Sequence, residues 1–299
     1  MAQEAFGGAH TAKKLAKLEA YLKAYLDVFK NQSWVNTIYF DAFAGTGNVP
    51  TAAGNTSLPL DDDGKAFIVG SAQRALGLKS SFSEYIFVEE KRGKTKELEQ
   101  LKSEYPDKAD RIKIVNEDAN SALQSFCAKR DWKKCRAVVF LDPFGNQVEW
   151  ATIEAIANTK RVDLWYLFPA GLGVHRQISR KAQVDADKEK SLTRLFGTSD
   201  WKQAFIVEVE RPLDLFDQGG TSPAKAVTPA TATAFMIERM KAIFKGGVLD
   251  EWLKLGPRGH HSYSLLFACA NPSPKANALA LRLARAVMRS GEYGGAKRH

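Results

Sequence analysis

Short apolar runs alternate with longer polar segments through the first half of the chain. Ile38 to Phe40, Tyr85 to Val88, Arg111 to Val115, Ala137 to Leu141 and Val162 to Phe168 are rich in β-branched and aromatic residues, and each predicts a strand. The last of them is apolar enough to be buried on both faces. Lys94 to Tyr105, Asn120 to Arg130 and Glu149 to Thr159 fall between the runs and predict helices, the last with Ile153, Ile156 and Ala157 as its inner face. Gly70 to Leu76 starts another, behind the first strand. Strand and helix in this rhythm mean βαβ crossovers and a parallel sheet.

Before the first strand, Leu15, Leu18, Tyr21, Leu22, Tyr25, Leu26 and Phe29 recur at three- and four-residue spacing and predict a helix over 11–30. Thr11 is placed as its N-cap. Lys13, Lys14, Lys17 and Lys23 are read as its polar face, available to phosphates. After the fifth strand, Pro169 to Gly173 break the pattern. Residues 171–230 then form an insertion with the basic cluster His175, Arg176, Arg180 and Lys181, and with helices around 191–196 and from 199 on. Residues 218–223 read as loop, and the whole insertion as a substrate-facing element. Ala230 to Phe244 is a helix, Gly247 to Leu255 and His261 to Ala270 are strands, and Lys275 to Arg289 is a closing helix before a flexible tail at 294–299. The expected fold is one α/β domain, doubly wound, with a seven-stranded, mostly parallel sheet.

The ends of the strands carry the candidate chemistry. The first runs into Asp41-Ala42-Phe43-Ala44-Gly45-Thr46-Gly47, a glycine turn where a ligand can approach backbone without meeting a Cβ. Asp41, Phe43, Gly45 and Gly47 are therefore cofactor-site candidates. A third glycine is missing, which argues against a dinucleotide. The second strand ends on Glu89-Glu90, with Glu89 nearer the strand; the third is followed by Asp118 and the fourth by Asp142-Pro143-Phe144-Gly145. Carboxylates after four successive strands can hold a ribose diol, an adenine amino group and a substrate amine. Together they point to S-adenosylmethionine (SAM). For Asp142 to Gly145 the competing reading is a tight turn that caps the next helix. No Walker lysine follows Gly45 and no Gly-x-Ser-x-Gly elbow is present.

Composition narrows the setting. The 299 residues are 44% hydrophobic, enough for one sizeable domain, and the net charge of +9 is consistent with a nucleic-acid partner. No apolar run approaches a membrane span, and no signal peptide is seen at the N-terminus. Cys127, Cys135 and Cys269 have no metal or disulfide spacing and read as reduced thiols of a cytoplasmic protein, with no metal site expected. Asp61-Asp62-Asp63 reads as solvated loop, and His260-His261 as surface or structural.

Several of these segments resemble the three-Cys-motif partner protein family: Phe40 to Gly47, Gly70 to Leu76, Leu141 to Gly145, Asp163 to Pro169, and Leu192 to Gly197 followed by Trp201. The resemblance runs from about Lys14 to Met288. It implies a Rossmann-like fold of the class I SAM methyltransferase type and a partner with a three-cysteine motif, of radical-SAM-like appearance. More distantly the motif order is similar to amino-methyltransferases of DNA or RNA adenine. On that pattern Asp41, Gly45 and Gly47 line the methionine end of SAM, Glu89 accepts the ribose hydroxyls and Asp118 accepts from the adenine amino group. Asp142 orients the target amine and Phe144 stacks on a flipped base. Those enzymes carry Asp/Asn-Pro-Pro before an aromatic, whereas here Pro143 is followed directly by Phe144. The alternative is a non-catalytic SAM-fold subunit that binds nucleic acid or the partner.

Overall fold

The computed structural model describes residues 8–44, 70–211, 220–256 and 260–290. Helix α1 (Gly8–Phe29) precedes β1 (Asn36–Asp41), α2 (70–76), β2 (Glu84–Val88), α3 (Arg92–Glu104), β3 (Ile112–Val115), α4 (Ala119–Lys129), β4 (Cys135–Leu141), α5 (Trp150–Asn158) and β5 (Val162–Phe168). A π-turn (Ala170–Val174) leads to α6 (Ala186–Phe196), α7 (Trp201–Phe205), β6 (Ile206–Arg211) and β7 (Gly220–Lys225). Then follow α8 (Pro229–Ile243), β8 (Leu253–Leu255), β9 (Tyr263–Cys269) and α9 (Pro274–Arg289).

Seven strands pair in the order β3-β2-β1-β4-β5-β9-β8. The first five are parallel, and β9 runs antiparallel between β5 and β8. Strand order reverses between β1 and β4, so the carboxyl ends of these two strands flank the switch point where open α/β sheets bind ligands. This order, with the reversed strand next to the edge, is the class I SAM methyltransferase layout expected from the sequence.

Alternation along each strand divides the core. Phe40, Ile86 and Val139 face one apolar layer with residues of α4, α5, α6 and α8. Tyr39, Phe87 and Phe140 face the other, under α1, α2, α3 and α9. Helix α1 is pinned to the second layer through Tyr21. Its ring lies 5.2 Å from that of Trp165 and 5.1 Å from that of Phe267, and its hydroxyl donates to Asp163 at 2.7 Å. Burying each such ring contributes about 2 kcal/mol.

Four expectations need correction. The chain is already helical at Gly8, so Thr11 lies inside α1 and is not its cap. Lys14 and Lys17 are buried, not part of a solvent-facing lysine face; Lys13 and Lys23 are the exposed ones. Residues 220–223 belong to β7, which forms a two-stranded ribbon with β6 outside the main sheet, so the insertion is not purely helical. Pro223 is tolerated there because each strand of a two-stranded ribbon is an edge. Gly247 to Leu255 supplies only the three-residue β8 and a bridge from Val248 to Ala268. The glycine turn at Gly45 and Gly47, the Asp61 to Asp63 triplet and the tail fall outside the described residues.

Candidate active site

The carboxyl ends of β1, β2 and β3 open onto a cleft of about 600 Å³, solvent-facing space included, lined by Ala42, Phe43, Val88, Glu89, Asp118 and Asn120 among others. Glu89 is held where its strand stops. Its Oε1 accepts the Lys91 N–H at 2.7 Å, while Asn116 Nδ2 donates to the carbonyls of Glu89 and Glu90 at 2.7 and 2.8 Å. The other oxygen, Oε2, is buried without a hydrogen-bond partner. Burial pushes the Glu89 carboxyl up, against the Lys91 N–H and the charge of Lys94. Glu90 also lines the cleft but is exposed. Asp118 is exposed at the mouth; its Oδ1 accepts from Ser121 N at 2.9 Å and so caps α4.

Asn120 is buried and lines the same cleft. Its Nδ2 donates to the Gln147 carbonyl at 2.9 Å, and its Oδ1 accepts from Glu149 N and from the Thr152 hydroxyl at 3.0 and 2.8 Å. Gln147 Oε1 in turn accepts from Phe144 N at 2.7 Å, and Gly145 takes φ +70°, a backbone state that favours glycine. Asn146 donates to Gly173 O at 2.6 Å, which ties this loop to the π-turn after β5. Helix α5 begins only at Trp150 with Glu149 at its N-cap, so the turn from Asp142 to Gly145 does not cap it.

Asp142 lies on the α1 side of the switch point, and it is already engaged. Lys14 Nζ donates to Asp142 Oδ1 and Oδ2 at 2.9 and 3.0 Å, with side chains 6% and 11% exposed. The ammonium also lies 5.9 Å from the centre of the Phe140 ring. Burial lowers Lys14 from the usual lysine range, with Asp142 pulling the other way; burial raises Asp142, against Lys14. Asp41 sits alongside. Its Oδ2 accepts from the Ser71 hydroxyl at 2.7 Å, and its Oδ1 from Phe43 N at 3.3 Å. Burial pushes Asp41 up to about 7, the Ser71 hydroxyl opposing and Asp142 adding to it.

Of the residues predicted from sequence, Phe43, Glu89 and Asp118 therefore share one cleft. Asp41 and Asp142 share a second, closed corner with Lys14. Pro143 is buried, and Phe144 projects to solvent with 49% exposed. Lys14, Asn116 and Asn120 were not among the candidates. Lys14 had a visible signal: it lies four residues before Leu18 and seven before Tyr21, on the apolar stripe of α1 and not opposite it.

No family model and no curated protein matches the chain. Among solved structures, a Legionella pneumophila protein aligns over 93% of both chains at 13% identity and a TM-score of 0.38. A putative methyltransferase of Escherichia coli aligns over 69% of this chain and 84% of its own, at 14% identity and TM-score 0.29. Magnesium protoporphyrin IX methyltransferase of Synechocystis, solved with bound SAM, aligns over 75% and 87%, at 10% identity and TM-score 0.30. Likenesses this distant carry no argument, and the fold rests on the strand order. Among the described residues no helix is long and apolar enough to cross a membrane. The three cysteines are buried free thiols.

Proposed function

We propose that the chain is a SAM-dependent methyltransferase that acts on an amino group, a nucleic-acid base being the target class. The observation that carries the reading is Glu89, which lines the cleft at the end of β2 and keeps a buried carboxylate oxygen, Oε2, with no partner. A buried acceptor left unmade costs about 1–3 kcal/mol, and a vicinal diol would satisfy it. The lining fits the rest of an adenosine: Phe43, Val88 and Ala119 offer apolar contact, and Asp118 keeps its second oxygen for an amino donor. When bound, SAM supplies an electrophilic methyl group on a sulfonium. The chain's own work is to hold and align two reactants. Asp142 holds the acceptor amine once Lys14 gives way, and Phe144 offers a stacking face for an unstacked base.

The nucleic-acid target is supported by the +9 charge. The three-Cys-motif partner rests on the resemblance, and a cytoplasmic setting on the free thiols. The test is calorimetric titration of the protein and of Glu89→Ala with SAM and S-adenosylhomocysteine. Micromolar binding that weakens sharply in the variant supports the cofactor reading; equal binding overturns it. Transfer of labelled methyl to nucleic acid by the protein, lost in Asp142→Asn, tests the activity. The second reading, a SAM-fold subunit without turnover, is favoured by the Lys14 pair that engages Asp142; binding without transfer to any nucleic acid would establish it.

A further inference from the structure

We propose that Lys14 is itself a methyl acceptor, so that the protein modifies its own helix α1. The inference rests on the cofactor reading above and extends it to a second acceptor. In that reading Asp142 marks the place of an acceptor amine, and an amine of this chain already stands there, donating to both carboxylate oxygens at 2.9 and 3.0 Å. Two anchors further along α1 hold the helix that carries it. One turn further along α1, Lys17 donates to Val287 O and Met288 O at 2.7 and 3.0 Å, and beyond it Tyr21 is bonded to Asp163. Neighbouring lysines differ: Lys13 faces solvent, and Lys17 is spent on the end of α9.

The corner also gives the amine a proton acceptor within hydrogen-bond reach. Burial disfavours charge on Lys14 and on Asp142 alike, which eases the passage of a proton from the amine to the carboxylate against the attraction of the pair. In the transfer, the Lys14 nitrogen lone pair forms the new N–C bond to the methyl of SAM. The electrons of the S–C bond go to sulfur, and neutral S-adenosylhomocysteine leaves. One proton departs through Asp142 to water, and the methylated amine keeps a single positive charge.

The full chain is incubated with SAM in the absence of nucleic acid and cut with a glutamate-specific protease, so that Lys13, Lys14 and Lys17 share the peptide between Glu4 and Glu19. Fragment masses then locate any added methyl, while binding of S-adenosylhomocysteine is measured by calorimetry on the same preparation. Methyl on Lys14 and on neither neighbour is the expected result, with a rate at least tenfold lower in Asp142→Asn. Binding with Lys14 unmodified overturns the inference and leaves the cofactor reading intact. Methyl spread over Lys13 overturns it as well, as would an unchanged rate in Asp142→Asn. Absence of binding removes both. Lys14→Arg keeps a charge partner for Asp142; it is expected to retain binding and to lose the mass gain, and a mass gain that persists in it overturns the assignment.

Discussion

The two halves of the switch point are built in opposite ways. On the β2–β3 side the cleft is open, and Glu89 keeps a carboxylate oxygen without a partner. On the β4 side Asp142 is closed over by α1 and doubly bonded to Lys14. The first half is preformed for something from outside; the second is satisfied by the chain itself. On the proposed function, ligand recognition falls to the first half and chemistry to the second, and substitutions should divide along that line.

The largest effect is expected at the closed corner. Lys14→Met leaves a buried carboxylate without its counter-charge and should destabilise the fold by about 3–5 kcal/mol. The loss should shrink at low pH, where Asp142 is protonated, as denaturant unfolding at two pH values would show. An unchanged midpoint would mean that the corner is wetter than its geometry indicates.

Asp41 should give the corner a pH signature. Its carboxyl ionises near 3.8 when unfolded and near 7 when folded, so between these values the folded state keeps a proton that the unfolded state has lost. Stability from this group is full below the window and falls as pH rises through it, by up to about 4 kcal/mol. Asp41→Asn should flatten that decline in a series of melting temperatures. In the open half, Glu89→Ala should weaken SAM binding about 100-fold while barely moving the melting temperature. The smallest effect is at Asp118. Replacement by Ala removes the α4 cap at a cost of about 1 kcal/mol, whereas Asn keeps the cap and isolates any ligand contact, read as about a tenfold loss of affinity.

The same divide governs what the sequence made legible. The five parallel strands and the carboxylates beyond them could be read because apolar runs and the residues that end them are local features. Glu89 is the clearest case: its position after Val88 was enough to place it in the cleft. The pairing of Lys14 with Asp142 spans 128 residues: the place of Lys14 on the apolar stripe shows that it turns inward, but no local feature names the residue it meets. The β6–β7 ribbon was hidden by the Gly-Thr-Ser-Pro composition of β7, although the Val-Glu alternation of β6 carried a strand period. Gly45 and Gly47, the starting point of the cofactor argument, lie outside the described residues.

Lys17 ties α1 to α9: its ammonium reaches carbonyls at the close of α9 across 270 residues of sequence. During synthesis from the N-terminus, the first helix is made long before the partner that receives it. Until α9 leaves the ribosome, the apolar stripe of α1 has no complete bed and Lys17 lacks the carbonyls it meets there. A nascent chain can build the parallel half of its sheet early, whereas α1 is fully bedded only after α9 has emerged.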